Sequence, residues 1–363
     1  MNKMLSFLFF LCFLTVSGYF ARAQETPVPK IVWKINRIDI GTVLEEQGIQ
    51  TVAFEFTYNQ DSVFFIQEII PECGCTSFEY TKDTLKMGES GQVKISFDPS
   101  SAAGFFSKLI VVRGPGVLDS LFLDGTAIPY PSNLPRAYPV KIGNLGFRMR
   151  KVNMGDVFDN EPKVKFIEFF NFGDELLEKR KLSVDAPSFI QLEQVQEFVR
   201  PNERGLLKLI YDSRPRKDLG FFEDSFTIGW EESAAKAITL EVMADLFEYF
   251  PPIPKDQLNE VAQLYIQQKE VDLREISAKS IVRRTVTISN RGKKPLEIRK
   301  IQGNCECLTI EAPKSTLEPG ESMDLRLVFD PIGRKGIDQR NIYIFTNDPL
   351  NPVQLIVMKS RIE

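Results

Sequence analysis

Short runs of alternating apolar and polar residues recur along this chain, and they predict strands. Val93, Ile95 and Phe97 alternate with Gln92, Lys94 and Ser96, and the pattern returns at Leu207, Leu209 and Tyr211 and at Leu325, Leu327 and Phe329. Period two places successive side chains on opposite faces of a half-buried strand; a helix would need apolar residues three and four apart. Turn chemistry brackets these runs. Pro319-Gly320 supplies a corner in which proline fixes φ and glycine accepts the positive φ that follows. Asp98-Pro99 and Asp330-Pro331 end their strands, because proline cannot donate to a ladder. The fold expected is all-β, built of antiparallel sandwiches.

The pattern is also copied. Cys73 to Pro99 maps onto Cys305 to Pro331 at a constant offset of 232, pairing Ile69 with Ile301, Cys75 with Cys307 and Leu85 with Leu317. Gly88-Glu89-Ser90 then falls on Gly320-Glu321-Ser322. A third, diverged copy lies between: an offset of 118 sets Glu203 on Glu321 and Tyr211-Asp212 on Phe329-Asp330. Gly104-Phe105-Phe106, Gly220-Phe221-Phe222 and Gly336-Ile337 follow at steps of 116. At the front of the copies, Ile38 to Val43 resembles Val152 to Val157 and Val271 to Ile276. Three tandem immunoglobulin-like domains are expected, at residues 24–128, 140–250 and 263–363. Proline-rich linkers at 129–139 and 251–262 separate them, the second with a short helix of one or two turns.

Residues 1–23 read as a secretory signal peptide. Lys3 opens it, 5–16 is an apolar run, and Ala21-Arg22-Ala23 offers the small residues of a cleavage site. The run is shorter than the roughly 20 apolar residues of a membrane span. Cys12 is preceded by Phe9-Phe10-Leu11, which argues against a lipoprotein site. Cleavage removes Lys3, Arg22 and Cys12, leaving 43 basic against 49 acidic residues and four cysteines. An exported product is expected in the periplasm, or secreted or at the cell surface, with no transmembrane span in the mature chain and its cysteines in a disulfide-permissive compartment.

Composition narrows the chemistry. The chain has no histidine, which removes Ser-His-Asp and Cys-His catalysis and imidazole ligands. A net charge of −4 without a basic run argues against nucleic acid. Runs such as Glu178 to Lys181 and Arg291 to Lys294 are expected to be solvated hairpin tips. Asp98 and Asp330 read as turn residues. One residue of each doublet, Phe105-Phe106 or Phe221-Phe222, must face outward unless a neighbouring domain covers it.

Cys73-Gly74-Cys75 and Cys305-Glu306-Cys307 carry the only distinctive chemistry. On an extended strand both thiols of a pair face one way. Three readings stay open. The first is a local structural disulfide in each pair, eased by Gly74, and it is preferred because exported thiols are usually oxidised. The second is a dithiolate site for copper or zinc, which with two sulfurs per domain would need a second pair or chain. The third is a dithiol that exchanges with substrate disulfides, although no basic neighbour is evident to lower a thiol pKa. The immunoglobulin bridge joins distant strands around a tryptophan, and neither this spacing nor Trp33 or Trp230 fits it.

The string Ile69 to Thr76 (IIPECGCT), followed by Gly88-Glu89-Ser90-Gly91 and Phe97-Asp98-Pro99, resembles a bacterial family. That family is domain of unknown function fifteen-seventy-three, of exported proteins in Gram-negative bacteria, related to Hydin-like and major-sperm-protein-like sandwiches. The third copy carries the same marks, with Glu306 for the glycine and Leu308 for the threonine, while the middle copy lacks both cysteines. The resemblance implies an immunoglobulin-like sandwich with no established activity and, by analogy, protein–protein binding. The function expected is a non-enzymatic interaction scaffold, without cofactor, for protein partners in the cell envelope. The alternative is a thiol protein working through Cys73, Cys75, Cys305 and Cys307.

Overall fold

The structure is a computed structural model that describes residues 30–231 and 237–363. The signal-peptide reading and Cys12 fall outside the described residues. The chain divides into two compact units, residues 1–130 and 131–363.

Among its described residues the first unit holds eight strands: β1 (Ile31–Trp33), β2 (Arg37–Leu44), β3 (Gln50–Tyr58), β4 (Glu68–Pro71), β5 (Thr76–Tyr80), β6 (Ser90–Phe97), β7 (Gly104–Gly114) and β8 (Val117–Ile128). They form two four-stranded sheets in the orders β1-β3-β6-β5 and β2-β8-β7-β4. The alternation expected from the sequence is present: Val93, Ile95 and Phe97 are buried between the sheets, facing Ile110, Val112, Leu121 and Leu123. Burying a side chain of this size contributes about 1.5–3 kcal/mol, so the inward residues of β3, β6, β7 and β8 hold the sheets face to face.

The second unit holds two further sandwiches. The middle one comprises β9 (Val140–Ile142), β10 (Leu145–Phe147), β11 (Lys151–Phe158), β12 (Lys163–Asn171), β13 (Leu177–Glu178), β14 (Leu182–Asp185), β15 (Ile190–Gln194), β16 (Phe198–Val199), β17 (Arg204–Tyr211), β18 (Gly220–Trp230) and β19 (Ile238–Phe247). Its main sheets run β15-β17-β12-β10-β9 and β11-β19-β18-β14, around a core that includes Phe169, Leu207, Leu209 and Trp230. The third comprises β20 (Leu264–Ile266), β21 (Glu270–Ile276), β22 (Val282–Asn290), β23 (Leu296–Gly303), β24 (Leu308–Glu311), β25 (Thr316–Leu317), β26 (Ser322–Phe329), β27 (Gly336–Thr346) and β28 (Val353–Ile362). Its sheets run β20-β22-β26-β24 and β21-β28-β27-β23-β25.

The chain is therefore all-β, three immunoglobulin-like sandwiches of mostly antiparallel strands. One feature recurs that alternation does not encode. The second strand of the first and third copies, β2 and β21, lies parallel to the last, β8 and β28, and β11 pairs with β19 in the same way. Each of these pairs carries a register shift, at Asp39/Thr42, Asn153/Gly155 and Asp272/Glu275, where Asp39, Asn153 or Asp272 accepts from the backbone N–H two residues on. The front motif noticed in the sequence is thus a bulge on a parallel edge strand.

The proline-rich stretch 129–139 does more than space two domains. Asn133 caps a helical turn at Leu134–Ala137 by accepting from the Arg136 N–H at 3.0 Å. Tyr138 is fully buried against Phe170, and its hydroxyl donates to Glu168. Residues 251–262 contain a single 3-10 turn at Lys255–Gln257 before β20. The two basic runs are not hairpin tips. Lys179–Lys181 is a 3-10 turn between β13 and β14, and Arg291 to Lys294 lies where the chain passes from one sheet of the third sandwich to the other. Asn290 explains the second of these geometries: it is buried, and its side-chain amide donates to the Lys294 and Leu317 carbonyls, as Asn171 donates to the Glu175 carbonyl after β12 in the middle sandwich.

Candidate functional site

The cysteine pairs do not lie on extended strands. Each occupies the tight turn where the chain leaves one sheet and enters the other: β4 to β5 around Cys73 and Cys75, and β23 to β24 around Cys305 and Cys307. The turn closes with the Thr76 N–H donating to the Cys73 carbonyl at 3.4 Å, and the Leu308 N–H to that of Cys305 at 3.3 Å. The carbonyl of the second cysteine of each pair accepts from the N–H of the aspartate just after β6 or β26, Asp98 at 3.0 Å and Asp330 at 2.9 Å. Within each pair the sulfurs are bonded, with Cα atoms 5.3 Å and 5.2 Å apart. All four cysteines are half-buried, and Cys75, Cys305 and Cys307 pack against the cores. Crossing between sheets requires a sharp change of direction, which brings two residues at i and i+2 close enough to bridge.

The middle sandwich makes the same crossing without cysteine. Between β14 and β15, the Ile190 N–H donates to the Pro187 carbonyl at 2.8 Å and the Asp212 N–H to the Phe189 carbonyl at 2.9 Å. Pro187 thus stands where Cys73 and Cys305 stand, and Phe189 where Cys75 and Cys307 stand. Proline restricts the backbone and the Phe189 ring packs on Tyr211, 5.4 Å between centroids, with the Arg216 guanidinium 4.8 Å from it. Tyr211, buried at the position of Phe97 and Phe329, has its hydroxyl pushed up to about 12 by burial and by Asp224, to which it donates at 3.0 Å. The offset of 118 already contained this equivalence; only the bonding pattern made it meaningful.

A second constellation lies between the middle and third sandwiches. Gly220, at φ 106°, turns the chain so that Phe221 projects outward at the start of β18. Its ring meets Tyr343 edge-on at 4.5 Å and Phe345 at 6.1 Å, both on β27. The Gln302 side-chain amide clasps the Phe221 backbone from both sides, accepting from its N–H at 3.1 Å and donating to its carbonyl at 3.3 Å. Ion pairs flank the contact: Lys300 with Asp218 at 3.0 Å, and Arg299 with Glu248 at 2.9 Å. The hydrogen bond from Arg299 to Glu248 raises the guanidinium pKa further. Asp218, Phe221 and Glu248 come from one domain and Arg299, Lys300, Gln302, Tyr343 and Phe345 from the next, so the seam locks two sandwiches together. The same seam walls a cleft of about 480 Å³ lined by Phe221, Gln302, Asn304, Cys305, Glu306 and Tyr343.

The other doublet behaves differently. Phe106 is buried and Phe105 is 74 % exposed, although Gly104, like Gly220, takes a positive φ, here 87°. Asp98 and Asp330 are turn residues, accepting from the Ser100 and Ile332 N–H groups at 3.0 Å; that bond from Ser100 holds the Asp98 carboxyl below the usual range. Among the described residues no group of three or more cysteine, aspartate or glutamate side chains converges as a metal site would. No described helix is long and apolar enough to cross a membrane.

The sequence reading missed one buried charge cluster in the middle sandwich. Glu168 accepts from Tyr138, Arg148 and Arg204, the last at 2.9 Å, with the Arg204 side chain 0 % and Glu168 4 % exposed. Burial alone would raise the Glu168 pKa, but the hydrogen bonds from Arg148 and Tyr138 and the Arg148 charge bring it below the ordinary value. Every donor serves the same carboxylate, an arrangement that fixes the linker tyrosine to the core.

Repeated sandwiches with a stapled crossover in the first and third copies define a class: tandem immunoglobulin-like domains of the CxC type. The chain belongs to the family described as Protein of unknown function (DUF1573), whose model matches residues 31–117 and 264–360. The matched segments contain both cysteine pairs and leave out the middle copy. Among solved structures, a protein of unknown function from Porphyromonas gingivalis W83 is similar at 19% identity and a TM-score of 0.44, covering 60% of this chain and 100% of that one. A human ASH / PapD-like domain, PapD-like domain 7 of CEP192, aligns at 9% identity and a TM-score of 0.26, over 32% of this chain and 93% of that one. Both scores mark loose likeness. No curated protein matches the chain.

Proposed function

We propose that the protein is an exported, non-enzymatic scaffold of the cell envelope that binds other proteins through the outer faces of its sandwiches. The observation that supports this most is the Phe221 seam, in which an outward aromatic at the start of a strand grips the sheet of another sandwich by ring contacts, a glutamine clasp and flanking ion pairs. Phe105 occupies the repeat-equivalent position and stands 74 % exposed. Exposed aromatics of this kind anchor protein interfaces, where they bury a large area at small entropic cost. In this reading the cysteine bridges are braces, since the middle sandwich makes the same turn with Pro187 and Phe189.

A second reading rests on Cys305, which lines the interdomain cleft. There the pairs would bind a soft metal or exchange with substrate disulfides. Intact-mass measurement of the mature chain, alkylated with and without reductant, separates the two when run beside metal analysis. The scaffold reading expects four cysteines unreactive without reductant, no bound copper or zinc, and capture of envelope proteins by a photo-crosslinker at position 105. Stoichiometric metal, or bridges that exchange readily with a dithiol substrate, would establish the thiol reading instead.

A further inference from the structure

The knob of the seam between the middle and third sandwiches has a counterpart: the projecting residue of the third sandwich. Gly336, at φ 86°, stands where Gly220 stands, and Ile337 follows it as Phe221 follows Gly220. Ile337 is 91 % exposed, and Ile332 on the preceding turn is 67 % exposed. The residue two before the glycine is Asp218 in the middle sandwich and Arg334 in the third.

The receiving face also recurs. In the third sandwich it is the outward side of β23 and β27, where Gln302 pairs with Tyr343 and Lys300 with Phe345. In the first sandwich the matching strands β4 and β7 pair Ile70 with Val111 and Glu68 with Arg113. Ile301 pairs with Ile344 and Ile69 with Val112, so the offset of 232 holds through the register as well as the sequence. The position of Lys300 is thus Glu68, and those of Gln302 and Tyr343 are Ile70 and Val111. Ile70 is exposed.

Knob and face change together between the two settings. Where an aromatic knob meets glutamine and tyrosine, the acidic Asp218 meets the basic Lys300 at 3.0 Å. Where the knob is aliphatic, the face presents Ile70 and Val111, with Arg113 in place of Phe345, and the flanking charges are exchanged: Arg334 on the knob side and Glu68 on the face. Arg334 is lightly held at home, 3.5 Å from an Asp338 that Arg340 already engages. Glu68 is half exposed in a surface pair with Arg113 at 2.8 Å. The Glu248–Arg299 pair is not reproduced, because Gln67 stands at the Arg299 position, so the contact lacks one of the seam's two ion pairs.

We infer that the Ile337 knob of one molecule seats on the Ile70–Val111 face of a second copy, with Arg334 against Glu68, joining chains head to tail. This deepens the scaffold reading and rests on it: the partner of that surface is the protein itself. A heterologous contact of this sort extends into open chains unless its rotation closes a ring.

Sedimentation velocity of the complete mature protein, from micromolar to several hundred micromolar, tests it. The weight-average mass should climb with concentration. Ile337→Glu should weaken association about 30-fold or more, as loss of an interface anchor does. Glu68→Arg and Arg334→Glu should each weaken it, and the double variant E68R/R334E should restore it. That rescue crosses two domains, so local damage at either site cannot produce it. The positions are exposed, and unchanged circular dichroism would confirm that the variants fold. A wild-type chain that stays monomeric, an I337E chain that assembles normally, or a double variant no better than its parents overturns the inference. A monomer with sealed, metal-free bridges would overturn this step alone, whereas exchanging or metal-bound thiols would overturn the scaffold reading beneath it.

Discussion

Replacing Cys73 and Cys75 together by serine removes a bridge of sequence separation 2, so the loop it closes is only Cys73-Gly74-Cys75. Cross-link stabilisation grows with the logarithm of loop length; for about three residues the chain-entropy relation gives about 5.4 cal/mol/K, or about 1.6 kcal/mol at 25 °C. The hydrogen bonds that define the turn, Thr76 to Cys73 and Asp98 to Cys75, are backbone to backbone and survive the substitution. The crossover without a bridge at Pro187 and Phe189 shows that the same path is stable without sulfur. Unit one should therefore lose about 1.6 kcal/mol and about 6–13 °C in midpoint, while remaining folded. Urea-dependent hydrogen exchange read by mass spectrometry resolves this, following β3 and β6 in the first sandwich with β17 as internal control. A loss above about 4 kcal/mol, or a first sandwich that no longer folds, would refute the view of the bridge as a brace on a preformed turn.

Three further outcomes are expected. The folded-state pKa of Glu168 is depressed, so its contribution to stability is complete above the unfolded carboxylate pKa and is lost as pH falls through the folded value. Glu168→Gln should cost the middle sandwich about 3–5 kcal/mol near neutral pH by withdrawing the carboxylate that Arg148 and Arg204 hold, and should flatten its acid dependence; Trp230 fluorescence reports both. Phe221→Ala should loosen the seam by about 0.5–1.5 kcal/mol for each ring pair lost, splitting one calorimetric transition of residues 131–363 into two; an unchanged single transition would count against the seam. Phe105→Ser should leave stability within about 0.5 kcal/mol, because the ring is exposed, yet abolish recovery of envelope proteins by affinity isolation.

What the sequence settled alone is what depends on neighbours along the chain. Alternation at Val93, Ile95 and Phe97, the Asp-Pro stops and the copied cysteine motif were legible, because period two, turn geometry and repetition are written within a few residues or at a fixed offset. It also showed that one phenylalanine of each doublet must face out, since the pleat alternates. Which neighbour covers Phe221 and leaves Phe105 bare was decided by the tertiary structure, as were the parallel pairing of β2 with β8 and the position of each CxC on a sheet-to-sheet turn. The same holds for the linker residue Tyr138, placed beside Glu168 and Arg204. These features join residues tens of positions apart, and the free energy that selects them comes from burial and pairing between strands. A local pattern can therefore specify a face without naming what that face will meet.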